Sequence, residues 1–238
     1  MKNIITIGRR CTTDSFLEKY KIRKFSGPFS YLIIDFESAL IEINNNFYNY
    51  LKKIKKINNK KILYLKHWRM SITDFYINEN YLDLKLNNLI YNEKRVLLWN
   101  HHNPIKQNIL FKRRINRVLN LLKNTKCVLF YIDKICEINI DTYILYINNI
   151  IKKYYNYNHK IIFILPITDD KYKKFDCKLY YSNDTIDIFL LKVTPINDLV
   201  KETKKQRKKG TPLLDIDIHD KNINWKLLYK NINHLLLP

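Results

Sequence analysis

Six short apolar runs constrain what this chain can fold into. They span residues 4–7, 62–65, 96–99, 127–132, 161–165 and 186–193, and they are rich in Ile, Leu, Val and aromatic side chains. None alternates apolar with polar residues. A strand with one face in water alternates, whereas a strand buried on both faces reads as a continuous apolar run. Between the runs lie stretches of helical period. Phe36, Leu40, Ile43, Phe47, Leu51 and Ile54 form one apolar stripe. Phe111, Ile115, Val118, Leu119 and Leu122 form another, and Ile140, Ile144, Ile147 and Ile151 a third. A short helix is expected from about residue 12 to residue 20, and a last one over 223–236. Strands alternating with helices predict an α/β fold: a Rossmann-like, mostly parallel sheet of about five or six strands, flanked by helices on both faces.

The 238 residues are expected to form a single α/β domain over 1–238. Two stretches break the pattern. Residues 68–95 alternate loosely through Phe75, Ile77, Tyr81, Leu82 and Leu84, which predicts an irregular or hairpin insertion. Residues 201–212, KETKKQRKKGTP, carry six basic side chains and one acidic one, which predicts a mobile basic loop.

The formal net charge is +21, from 43 Lys and Arg against 22 Asp and Glu. Such a charge attracts any polyanion weakly and without sequence preference, so weak non-specific nucleic-acid binding is expected. A dedicated nucleic-acid site does not follow. Lys far outnumbers Arg, Asn and Ile are abundant and Gly is rare, which is the composition that an AT-rich genome imposes on any protein. The three glycines exclude a multi-glycine phosphate loop, and no cofactor is expected. No apolar run approaches the ~20 residues that a membrane-spanning helix needs. The run 4–7 is too short for a signal peptide and is interrupted by Arg9 and Arg10. Cys11, Cys127, Cys136 and Cys177 form no CxxC pair. These features predict a cytoplasmic protein with reduced thiols and no membrane partner.

In open parallel sheets, ligands bind beyond the carboxyl ends of the strands. Run 4–7 is followed by Gly8-Arg9-Arg10-Cys11, run 96–99 by Asn100-His101-His102-Asn103, and run 127–132 by Asp133-Lys134. A thiol, an imidazole and a carboxylate at one edge could make a nucleophile, its base and an orienting acid. Cys11 opens a predicted helix, where the dipole and unpaired N–H groups lower a thiol pKa, and Arg9 and Arg10 add positive charge if they point inward. The competing reading of Cys11 is a buried structural thiol at a strand–helix corner. A zinc site of Cys11, a histidine and Cys136 lacks any ligand pair at metal spacing. Arg113, Arg114 and Arg117 crowd five positions of one helix in a chain that prefers Lys. Their planar forks suit a carboxylate or phosphate; the alternative is a salt-bridged structural helix.

ITIGRRCTTDSFLEKYKIRKFSGPFSYLI resembles the opening of a family of papain-like cysteine peptidases found in bacteria and large DNA viruses. The family pattern there is a strand, a Gly-x-x-Cys turn, a short helix and a Ser-x-Pro-Phe-Asp-Trp segment. Gly8, Cys11, Ser26, Pro28 and Phe29 match it. HHNPIKQNILFKRRINRVLNLLKNTKCVLFYI is similar to the family's His-Asp pair, Arg-Arg-Ile-x-Arg helix and following strand. Arg113, Arg114, Ile115 and Arg117 match there, and Trp225 fits a C-terminal Trp. Ser30-Tyr31 stands where the family has Asp-Trp. His101-His102 or His102-Asn103 corresponds to His-Asp, with Asn103 the nearer stand-in for Asp. If the replaced Asp is catalytic, the resemblance implies a member without activity.

The resemblance implies a virus-encoded or bacterial cysteine-dependent hydrolase. Cys11 would be its nucleophile, His102 or His101 its base, and Asp133 or Asn103 the orienting group. Arg10, Ser30, Arg113, Arg114 and Arg117 would line a site for a protein, peptide or phosphate-bearing substrate. Two other functions compete: a transferase or hydrolase whose arginines grip a phosphate, and a non-enzymatic basic protein that contacts nucleic acid or a host factor.

Overall fold

The computed structural model describes residues 2–8, 11–58, 63–65, 68–70, 74–81, 97–99, 102–133, 139–167, 176–193 and 224–236. Its main sheet has five strands: β1 (Asn3–Thr6), β8 (Cys127–Ile132), β9 (Lys160–Ile167), β11 (Ile186–Lys192) and β10 (Cys177–Ser182), in that spatial order. β1, β8, β9 and β11 are parallel, and β10 closes the edge antiparallel to β11. The fold is therefore α/β with a mixed, mostly parallel sheet. Five helices are described: α1 (Cys11–Lys19), α2 (Phe36–Asn44), α3 (Asn108–Asn124), α4 (Ile140–Tyr154) and α5 (Trp225–Leu236).

The continuous apolar runs are explained by burial on both faces. On one face Ile5, Leu129, Ile161 and Ile186 stand in register across four strands, each fully buried. They meet Phe36, Leu40 and Ile43 of α2, Phe111, Val118 and Leu122 of α3, and Ile144 and Ile147 of α4 in one cluster. Phe36 lies with its ring centroid 5.0 Å from that of Phe163 and 5.2 Å from that of Tyr131. The alternate residues Ile4, Val128, Phe130, Ile162, Ile164 and Phe189 face the opposite way. There Phe16 and Leu17 of α1 and Trp225, Leu228 and Ile232 of α5 cover them.

A second sheet lies apart from the first. It is wholly antiparallel, with β2 (Ile33–Ile34), β7 (Leu97–Trp99), β6 (Asp74–Asn78) and β3 (Ile54–Asn58) side by side, and a 3-10 turn over Glu79–Tyr81. Trp99, Leu97, Tyr50 and Tyr81 join the α2–α3 core. A separate hairpin pairs β4 (Leu63–Leu65) with β5 (Trp68–Met70).

Several sequence expectations need correction. Runs 96–99 and 62–65 supply the strands Leu97–Trp99 and Leu63–Leu65, but neither strand belongs to the parallel sheet. Within 68–95, expected as an irregular or hairpin insertion, β5 pairs with β4 as a hairpin and β6 is a central strand of the second sheet, while residues 82–95 lie outside the described residues. Residues 177–182, which the apolar runs do not include, form an edge strand whose half-exposed pattern hides the apolar signal. The stripe from Phe36 to Ile54 is not one helix. α2 stops at Asn44, and Asn46 and Phe47 take positive φ of 51° and 58°. Asn enters the left-handed region more readily than most residues. Phe47, for which it is strained, is held by ring contacts to Phe29 and Tyr50. Pro166 sits inside β9 beyond Ile164, the last residue that β8 pairs, so no ladder N–H is lost to β8 there. The basic segment 201–212 and Cys136 lie outside the described residues. No helix among the described residues is long and apolar enough to cross a membrane.

Candidate functional site

The corner after β1 is built around a glycine. Ile7 N–H still bonds to Phe130 O at 3.0 Å, which keeps the chain in the ladder up to Gly8. A Cβ on Gly8 would lie 1.9 Å from Thr13 Oγ1 and 2.3 Å from Thr13 Cβ. Only glycine lets the first turn of α1 pack this closely. Cys11 is the first residue of that helix; its side chain lies outside the described structure, as do Arg9, Arg10 and His101. Phe16 and Leu17 anchor α1 in the apolar core, and this turns Thr13 and Asp14 inward, where both are fully enclosed.

Asp14 organises the corner. Its Oδ2 accepts from Tyr31 N–H at 2.8 Å, and its Oδ1 lies 3.5 Å from Arg23 Nη1. Burial pushes the Asp14 carboxyl above the usual range, opposed by the Arg23 charge and the Tyr31 N–H. Arg23 is itself fully engaged. Its Nε donates to Phe25 O at 3.2 Å, Nη1 to Tyr31 Oη at 3.1 Å and to Glu18, and Nη2 to Ser26. Tyr31 has φ 59°, a strained conformation for a bulky residue, which the Asp14 and Arg23 bonds hold in place. Burial and the neighbouring Glu18 push the Tyr31 hydroxyl up to about 12.

The nominated residues divide. Ser30 is fully buried; its Oγ accepts from Gly27 N–H at 2.9 Å and lies 3.3 Å from Thr6 Oγ1. It ties the 27–30 turn to β1 and offers no surface to a substrate. His102 packs edge-on to Phe111 with centroids 5.6 Å apart, and its Nδ1 lies 3.1 Å from Gln107 Oε1. Asn103 caps its own turn, accepting from Ile105 and Lys106 N–H at 3.2 and 3.0 Å. The Asp133 carboxylate accepts from Tyr131 Oη at 3.3 Å and from Tyr143 Oη. The side chain that meets His102 Nδ1 is that of Gln107. The three arginines separate as well. Arg113 and Arg117 are exposed, the latter with its guanidinium 5.5 Å from the Phe25 ring, while Arg114 is half-buried over Phe111 at 5.4 Å and electrostatically coupled to Asp14.

Sequence reasoning missed Asp14, Arg23 and Gln107. Arg23 carried the same signal as the helix cluster, an arginine where this chain prefers lysine. Asp14 and Gln107 carried none, since an acid in a first helical turn and a glutamine before a helix are commonplace. Another imidazole is structural: His159 is buried, with Nε2 2.8 Å from Leu122 O and Nδ1 accepting from Cys127 N–H at 3.3 Å. Among the described residues no three His, Cys, Asp or Glu side chains converge as metal ligands. A cavity of about 810 Å³ lies between α4 and the β10–β11 hairpin, lined by Ile144, Asn148, Tyr180 and Tyr181, and includes none of the corner residues.

The fold and corner define a class: an α/β protein with buried polar side chains, Thr13 and Asp14, on the helix that follows the carboxyl end of an edge strand. Comparison with family models, curated proteins and solved structures finds no match.

Proposed function

We propose that this chain is a cysteine-dependent hydrolase of the papain-like cysteine peptidase type, on a Rossmann-like sheet, with Cys11 as nucleophile and His102 as base. The observation that carries this reading is the position of Cys11 as the first residue of α1, just beyond the carboxyl end of β1. A thiol there meets unpaired N–H groups and the positive end of the helix dipole, which favour the thiolate.

The chemistry follows in two halves. His102 takes the thiol proton, and the sulfur forms a bond to the substrate carbonyl carbon while N–H groups of the first α1 turn hold the oxyanion. The intermediate collapses, the carbon–leaving-group bond breaks, and His102 returns the proton to the leaving group. Water, deprotonated by His102, then cleaves the thioester and restores the thiol. With Gln107 Oε1 accepting from Nδ1–H, Nε2 is the nitrogen that exchanges these protons. The strained Tyr31 backbone supports the reading, because such strain gathers at functional sites. The free thiols of Cys127 and Cys177 fit a reducing, cytoplasmic setting.

Hydrolysis of a panel of fluorogenic peptide and ester substrates tests the proposal. Cys11→Ala is expected to abolish turnover. His102→Ala is expected to lower it by roughly 10²- to 10⁴-fold, while His101→Ala leaves it unchanged. Turnover that survives in Cys11→Ala refutes the assignment.

A further inference from the structure

Two guanidinium groups lie in the field of Asp14, and they are not alike. Arg23 has acceptors all round: a backbone carbonyl, two hydroxyls, Glu18 and Asp14. Arg114 has none at hydrogen-bond distance among the described residues. Its Nη1 is nevertheless fully enclosed. The group lies over the Phe111 ring, which stabilises a cation but accepts no hydrogen bond along its fork. Buried guanidinium donors are almost always paired, because a donor left bare forfeits its hydration.

Charge points the same way. The Arg23 charge is answered by Glu18 and Asp14. Burial works against the charged form of Arg114, Tyr50 and Asp14 favour that form, and Arg23 and Arg113 oppose it. An anion is the group that would lower the energy of this arrangement. Position adds the last element. Asp14 stands three residues after Cys11 on α1, the helix that opens the candidate site.

We infer that Arg114 anchors an oxyanion of the ligand, a carboxylate or a phosphate group, through its unpaired guanidinium fork. The anion site stands on Arg114 alone; only its role as a substrate anchor rests on the hydrolase reading. Arg113 and Arg117, on the exposed side of α3, take no part.

Calorimetric titration of the full chain at near-physiological salt tests this, since screening suppresses the general lysine field. The probes are inorganic phosphate, and acetyl-Ala-Ala as the free acid and as the amide. Wild type is expected to bind phosphate or the free acid but not the amide, and which of the two binds identifies the source of the oxyanion. Arg114→Lys keeps the charge and loses the fork, and is expected to weaken binding roughly tenfold or more. Arg113→Gln, which removes an exposed neighbouring charge, is expected to bind as wild type does. Cys11→Ser is also expected to retain binding, so a failed hydrolase reading leaves this result standing. The inference is overturned if wild type binds neither probe, or if Arg113→Gln and Arg114→Lys weaken binding equally. It is overturned equally if Arg114→Lys lowers the melting temperature with affinity unaltered.

Discussion

Thr13 Oγ1 stands 1.9 Å from where a Cβ on Gly8 would be, so the two residues interlock strand and helix at the candidate site. Gly8→Ala must push α1 away from β1. The expected cost is about 1–3 kcal/mol, typical of overpacking, read from urea denaturation. Because Thr13 Cβ also clashes, Gly8→Ala with Thr13→Gly should recover part of the spacing, giving a favourable coupling in a double-mutant cycle. A Gly8→Ala protein as stable as wild type would show that the junction is loose.

Glu42 makes stability pH-dependent. It lies fully buried on α2, accepts from Tyr81 Oη, and burial raises its pKa from 4.5 to about 7. A carboxyl with a raised folded pKa holds its proton more tightly when folded. The stability it confers is complete below about pH 4.5 and is lost as pH rises to about 7. The difference is on the order of 3 kcal/mol. Glu42→Gln, neutral throughout, should be more stable than wild type at pH 8 and similar to it at pH 4.5. Parallel stability curves for the two proteins would exclude ionisation of Glu42 as the cause.

Much of the fold was legible because both-face burial writes itself into sequence. The runs holding Ile5, Leu129, Ile161 and Ile186 have no polar alternation, and all four became parallel strands. The run ending at Trp99 looks the same but pairs antiparallel in another sheet, because an apolar run records burial and not the partner. α2 showed the opposite failure: Phe47 and Ile54 keep the helical phase by coincidence after Asn44 has ended the helix. At the site, residue types were easier to nominate than contacts. Ser30 was nominated by the resemblance and Asp133 by its place after a strand, yet the hydroxyls that meet them come from Thr6, Tyr131 and Tyr143, which no local pattern links to them.

Thiol reactivity should follow environment. Burial and the nearby Asp176 push the Cys177 thiol up to about 12, and burial raises that of Cys127. Iodoacetamide at pH 6–7, with sites assigned by mass spectrometry, should therefore modify Cys11 ahead of both. Faster labelling of Cys127 or Cys177 would remove the helix-dipole argument for Cys11.

Polyanion binding should be electrostatic and little more. With a net charge of +21, the logarithm of affinity for duplex or single-stranded nucleic acid should fall steeply with the logarithm of salt, and scrambled sequences should compete equally. Tight, sequence-selective binding at physiological salt would favour a nucleic-acid function over hydrolysis.

The edge position of β1 governs the order in which the molecule can assemble. β8 finds β9, and β9 finds β11, through connections far shorter than the one from β1 to β8, with Val128 opposite Lys160 and Ile161 opposite Ile186. β1 instead waits for β8, because Asn3 pairs with Cys127. Closing so long a loop is slow, and nothing repays its entropy until the partner strand exists. The middle strands can therefore form a nucleus while β1 is still searching. Since Gly8, Cys11 and Asp14 are placed only when β1 docks, the corner is completed late. A folding intermediate would hold a nearly finished sheet and no site at all.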